Sequence, residues 1–141
     1  MKRILFFVHL LPLGLIAQTL DQVWASDTMT IPGKSKIVIV QKVGFINICN
    51  ALLDAGYRIS TKDNELQTVT THKGTIGEIL DIRVKDSIAT IKPFATTSNF
   101  TLEAYYDVNK KGKTKYNAYT YAFLKAVEVA RRSRGQITYT Q

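Results

Sequence analysis

The sequence predicts an α+β fold: an antiparallel sheet of about five or six strands with two helices packed on one face, in the order strand, helix, strand meander, helix. Three observations carry this reading. Apolar residues recur at three- and four-residue steps in two stretches, 44–54 and 116–133, the spacing of an amphipathic helix. Between them the apolar period drops to two, as in strands with one buried face. The segments of period two are separated by short polar turns, and strands joined by short turns pair antiparallel.

The first segment is read as a leader. Lys2 and Arg3 precede an apolar run from Ile4 to Ala17, broken by His9, Pro12 and Gly14. That length suits the apolar core of a secretory signal peptide and is short for a bilayer-spanning helix. A cut after Ala17 is expected, with a second candidate after Ala25. The run is followed by no Cys to take a lipid, so a product without a lipid anchor or a transmembrane segment is expected in the periplasm or outside the cell. Residues 18–35 read as a linker, ending in Pro32, Gly33, Lys34 and Ser35.

The single α+β domain is expected over residues 36–135. Residues 36–40 carry a run of β-branched side chains, Ile37 to Val40, and read as the first strand. In 44–54 the residues Phe45, Ile48, Cys49 and Leu52 form one apolar face, and Gly56 is placed to end the helix in a left-handed conformation. Tyr57 and Ile59 open a strand that turns at Lys62-Asp63-Asn64-Glu65, and the Thr-rich stretch 66–72 returns. Leu80, Ile82 and Val84 alternate with Asp81, Arg83 and Lys85. The chain turns at Asp86-Ser87 and runs back over 88–91, with Pro93 expected to close that strand because it cannot donate to a ladder. After a polar loop at 95–99, Phe100, Leu102, Ala104 and Tyr106 alternate with Thr101, Glu103, Tyr105 and Asp107. The last helix places Tyr119, Phe123, Ala126, Val127 and Ala130 on one stripe, ends in Arg131, Arg132 and Arg134, and stops at Gly135. Residues 136–141 form a C-terminal tail that frays or adds an edge strand.

The stretch from Ala51 to Ile59, with Gly56-Tyr57, then Asp63, then the Thr-rich run from Leu66 to Thr71, resembles a recurring pattern of envelope proteins. In that pattern a helix ends in a Gly-aromatic step, a strand follows, and an acidic turn leads to a Thr-rich strand. It is similar to the repeated domains of the outer-membrane barrel-assembly lipoproteins. It is also similar to small exported Gram-negative domains with a TATA-box-binding-protein-like fold. The resemblance spans about residues 36–130 and implies an accessory or binding role without a catalytic residue.

Composition narrows the classes. Removing a 17-residue leader takes the 141-residue chain to 124 and, with Lys2 and Arg3 gone, its formal charge from +8 to +6. A chain of that size buries enough surface to hold a core without crosslinks. One Cys, Cys49, allows no intrachain disulfide, and its register with Ile48 and Leu52 reads as core packing. One His, His72, remains beyond the leader; it reads as a surface residue, and no metal or other cofactor is expected. The acids Asp63, Glu65, Glu78, Asp81, Asp86, Glu103 and Asp107 are scattered on strands and turns and read as solvated.

The densest cationic cluster is Lys110, Lys111, Lys113 and Lys115, followed by Tyr116 and surrounded in sequence by Tyr105, Tyr106, Tyr119 and Tyr121. It reads either as a site for an anionic glycan or lipid headgroup, held by charge and stacking, or as a solvated hairpin-to-helix loop. The expectation that results is an exported, non-enzymatic binding or accessory domain of the cell envelope, contacting a protein partner or an anionic surface component, and not nucleic acid. The alternative is a small exported hydrolase using paired carboxylates. N-terminal sequencing of the exported protein tests the leader: the chain should start at Gln18, or at Ser26 if the second cut is used, and a retained Met1 contradicts it.

Overall fold

The computed structural model describes residues 31–107 and 118–141. Seven strands and two helices follow in the order β1 (Ile37–Gln41), α1 (Phe45–Asp54), β2 (Ile59–Asp63), β3 (Thr68–Thr71), β4 (Glu78–Lys85), β5 (Ile88–Thr96), β6 (Thr101–Glu103), α2 (Ala118–Arg132) and β7 (Gln136–Thr140). All strands pair antiparallel in one sheet of order β2-β3-β4-β5-β1-β7, with β6 also bonded to β5. The α+β class expected from the periodicity is the class observed.

Register converts alternation into layers. Val69, Ile82, Ile91, Val38 and Tyr139 are successive cross-strand partners from β3 to β7, and the first four are fully buried. Val84, Ala89, Val40 and Ile137 make a parallel row. The intervening residues Thr68, Arg83, Thr90, Ile39 and Thr138 line up on the opposite, open face. Helix α2 packs on β1, β4 and β5 and against α1. Its Ala122, Ala126 and Ala130 are fully buried, and side chains this small let the helix axis approach closely; Ala122 packs with Ala95 and Ala104. Phe123 sits between the Tyr106 and Tyr139 rings, at 6.0 and 6.1 Å, distances at which tilted aromatic rings attract.

Helix α1 ends as its glycine requires. Gly56 has φ +83°, its N–H donates to the Leu53 carbonyl, and the Tyr57 N–H donates to the Leu52 carbonyl. This pair of reversed hydrogen bonds is the Schellman arrangement, which satisfies two otherwise orphaned carbonyls. It also fixes the direction in which Tyr57 and Arg58 leave the helix.

Three segments depart from the expected boundaries. Strand β5 runs through Pro93 to Thr96 instead of closing there. β1 pairs with β5 at Ile88–Ile91 and β6 with Phe94–Thr96, on the edge of β5 away from β4. Pro93 lies in the gap between them, where no partner requires its missing N–H, while its carbonyl accepts from Ala104 N–H at 2.8 Å. The end of the expected linker is held in place: Lys34 N–H donates to the Tyr106 carbonyl, Tyr106 N–H donates to the Ser35 carbonyl, and Ser35 is fully buried. Residues 136–140 add an edge strand beside β1, so this part of the tail belongs to the sheet.

Cys49 is 3 % exposed, and burial pushes its thiol up from the ordinary range, with Lys62 opposing the shift. The native protein is therefore expected to resist thiol reagents that modify the unfolded chain quickly. Cys49→Ser should cost about 1–3 kcal/mol by burying a poorly partnered hydroxyl. Equal labelling of native and unfolded protein would contradict the placement.

Candidate functional site

Antiparallel pairing brings one set of loops to one end of the sheet. β2 starts there, β3 ends there, β4 starts there and β5 ends there. The Schellman turn delivers Tyr57 and Arg58 to this end, β3 delivers His72 and Lys73, and the loop 73–77 leads into β4. Gly56, Tyr57, Arg58, His72, Lys73, Gly74 and Thr75 line an open cleft of ≈ 450 Å³. The backbone is tied across it by a hydrogen bond from His72 N–H to the Arg58 carbonyl at 2.8 Å.

Glu78 lies beneath this lining, bonded to Tyr57 and packed under Gly74. It was read as one of the solvated acids, but the first residue of β4 points to the covered face and is 3 % exposed. One carboxylate oxygen accepts from the Tyr57 hydroxyl at 3.2 Å and the other from Ile76 N–H at 3.0 Å. The Glu78 carbonyl accepts from Gly74 N–H at 2.7 Å. A Cβ at Gly74 would fall on this carboxylate, so a side chain at residue 74 would force the Glu78 carboxylate to move. Gly77, with φ +89°, approaches β5 so closely that a Cβ would lie 2.6 Å from the Thr96 carbonyl oxygen.

The electrostatics of the cleft are asymmetric. Among the described residues its lining includes Arg58, Lys73 and His72 and no carboxylate. Among the described residues the ion pairs join Glu128 to Lys125 and Arg132, on α2, and neither Arg58 nor Lys73 takes part in one. Glu78 is therefore a buried carboxylate held by neutral donors beneath a cationic mouth. The Tyr57 hydroxyl is pushed well above the ordinary phenol range, first by burial and then by the charge and hydrogen bond of Glu78.

The cationic cluster singled out in the sequence, Lys110, Lys111, Lys113, Lys115 and Tyr116, lies outside the described residues. Its flanking tyrosines are described: Tyr105 and Tyr119 stack with centroids 5.7 Å apart and both are half-buried, so these two rings serve packing. His72 is exposed, as expected, but lines the cleft. Sequence reasoning missed Arg58, Lys73 and Glu78 as a group because Arg58 lies fifteen positions before Lys73 and strand reversals, not sequence proximity, bring the three together. The available signal was the glycine spacing around Glu78, Gly74 and Gly77, which marks a loop closing tightly on something. Among the described residues no group of three or more His, Cys, Asp or Glu side chains is placed to hold a metal ion, and no helix is long and apolar enough to cross a membrane.

No family model matches the chain, and neither a curated protein nor a solved structure matches it.

The Tyr57–Glu78 contact has a pH signature. A phenol titrates near 10 in the unfolded chain, and the folded state holds the proton to higher pH. The unfolded state thus loses its proton first, and stability falls as pH rises above about 10. Tyr57→Phe should cost about 1–3 kcal/mol near neutral pH, and its deficit relative to the native protein should shrink above that point. Denaturant melts from pH 8 to 11 measure this, and a deficit constant across the range would contradict the assignment.

Proposed function

We propose that this protein is an exported, non-enzymatic binding domain of the cell envelope that holds an anionic component at the cleft formed by Arg58, His72 and Lys73. The observation that carries the reading is the convergence of Arg58, His72 and Lys73 on one cleft where, among the described residues, no carboxylate lines the wall and no ion pair engages Arg58 or Lys73. A guanidinium and an ammonium converging on one concavity attract an anion, and the guanidinium adds directional donors suited to phosphate or carboxylate. The excess of Lys and Arg over Asp and Glu, 19 against 11, adds a long-range field that raises the local concentration of such a ligand.

Export rests on the basic and apolar residues before Gln18, and the envelope setting on the resemblance of residues 51–71 to exported domains. A hydrolase built on paired carboxylates is less well supported. The acid at this cleft, Glu78, lies beneath the lining and is occupied by Tyr57 and Ile76.

Binding of inorganic pyrophosphate and of dextran sulfate, measured by calorimetry at low and high salt, tests the proposal. Arg58→Gln with Lys73→Gln should weaken both about tenfold or more, and binding by the native protein should fall with salt because exposed charges are screened over about 10 Å at 0.1 M. Changing Lys110, Lys111, Lys113 and Lys115 together to Gln separates the two cationic features. A loss confined to that variant would move the site to the lysine loop, and native affinity in both variants would remove anion binding from the account.

A further inference from the structure

The sheet ends differently at its two sides. β2 and β7 are the terminal strands of the order, and β6 is a three-residue side strand on β5. An edge strand presents outward-pointing N–H and C=O groups to which a further strand can bond, and charges, prolines, bulges or shortness discourage that pairing. β2 carries such devices: its register on β3 shifts between Ile59 and Thr61, and Lys62 and Asp63 are charged. β6 is short and ends in Glu103. β7 carries none of them. It reads Gln136-Ile137-Thr138-Tyr139-Thr140, uncharged and without proline, in uninterrupted register on β1 from Ile37↔Thr140 to Gln41↔Gln136.

β7 is also held in place and has one apolar side. The turn that enters it is pressed onto β1, where a Cβ at Gly135 would lie 2.6 Å from the Gln41 carbonyl oxygen. Tyr139 and Ile137 end the rows that run through the buried Val38 and Val40, and both are half-buried. Thr138, between them, is exposed on the open face. Helix α2 packs on β1, β4 and β5, inboard of β7.

The strand is complementary to itself. A two-fold axis normal to the sheet at Thr138 pairs β7 antiparallel with a copy of itself, setting Thr138 opposite Thr138, Ile137 opposite Tyr139 and Gln136 opposite Thr140. Residues directly opposite point to the same face, so both Ile–Tyr pairs lie on the helix-covered face, where they join the two apolar layers. Such β-branched–aromatic pairs stabilise a sheet. The polar pairs all fall on the open face, and no like charges meet. A register shifted by one residue would set Ile137 opposite Thr138 and put the helices of the two copies on opposite faces.

We infer that β7 is the interface of a homodimer, in which two copies pair antiparallel with Thr138 at the two-fold axis and form one continuous sheet. A second copy is favoured over an unrelated extended peptide because the matching residues are those of the strand itself. The cleft lies on the β2–β3 side of the order, with β4, β5 and β1 between it and β7. The interface and the anion cleft are thus independent.

Sedimentation equilibrium of the full chain should show a reversible dimer. Thr138→Lys sets two ammonium groups opposite each other at an exposed position and should raise the dissociation constant about fivefold or more, as should Thr138→Glu. An equal mixture of these two variants should associate at least as tightly as the native chain, which also shows that both fold. Thr138→Cys should oxidise to a disulfide-linked dimer, because directly opposite Cα atoms lie about 4.5–5.5 Å apart, within disulfide reach, and the native thiol of Cys49 is buried. Gln136→Cys should not, because its own copy lies about 13 Å away along the strand. A native chain that stays monomeric to about 0.1 mM, with or without an extended peptide bound at β7, overturns the inference. So does association indifferent to charge at position 138, or crosslinking at 136 as fast as at 138, since either assigns the contact to another surface or register.

Discussion

Strand β5 is the member on which the sheet depends. It is the longest strand, and its two edges serve three neighbours: β4 along one side, and β1 and β6 in succession along the other. Sharing one edge between two short strands leaves a gap, and Pro93 fills it without losing a hydrogen bond that the sheet needs. The same strand presents Ala89, Ile91 and Ala95 to the helices. Small residues at its two ends allow α2 to lie close, and Ile91 in the middle fills the space between Ile82 and Val38. A break in β5 would separate the β2–β4 meander from the β1–β7 pair.

The cleft follows from that arrangement and from one buried charge. Because β4 pairs with β5 over its full length, its first residue is placed at the rim with its side chain on the covered face. That residue is Glu78, and burying a carboxylate is costly unless donors satisfy it. The Tyr57 hydroxyl and the Ile76 amide meet that need, and in doing so they tie the end of α1 to the loop before β4. Arg58 and His72, just outside the ends of β2 and β3 beside this knot, are thereby held at the mouth of a concavity. The cations line the cleft as a consequence of how Glu78 is accommodated.

Much of the fold was legible in the sequence. The buried stripes of α1 and α2, the alternation of β4 and the left-handed stop at Gly56 all follow from local spacing and local backbone chemistry. Local rules erred where a partner decides the outcome. Pro93 ends a strand only if its N–H is wanted, and that depends on where β1 stops and β6 begins. Ser35 reads as linker because nothing near it in sequence shows that Tyr106 will pair with it. The lysine run drew notice as a candidate site because its charges are adjacent in sequence, whereas Arg58 and Lys73 are fifteen residues apart and joined only by strand pairing.

By itself, the sequence determined the α+β class, the two amphipathic helices, the turn chemistry and an excess of cations, since each depends on residues within a few positions of one another. Only the tertiary structure decided that Glu78 is buried, that Gly74 and Gly77 permit the loop to close, and that Arg58, His72 and Lys73 share one cleft. The physical reason is that burial and convergence are properties of pairing register. A strand side chain faces the core or solvent according to which residue it meets across the sheet, and that choice is made by residues far away in the chain.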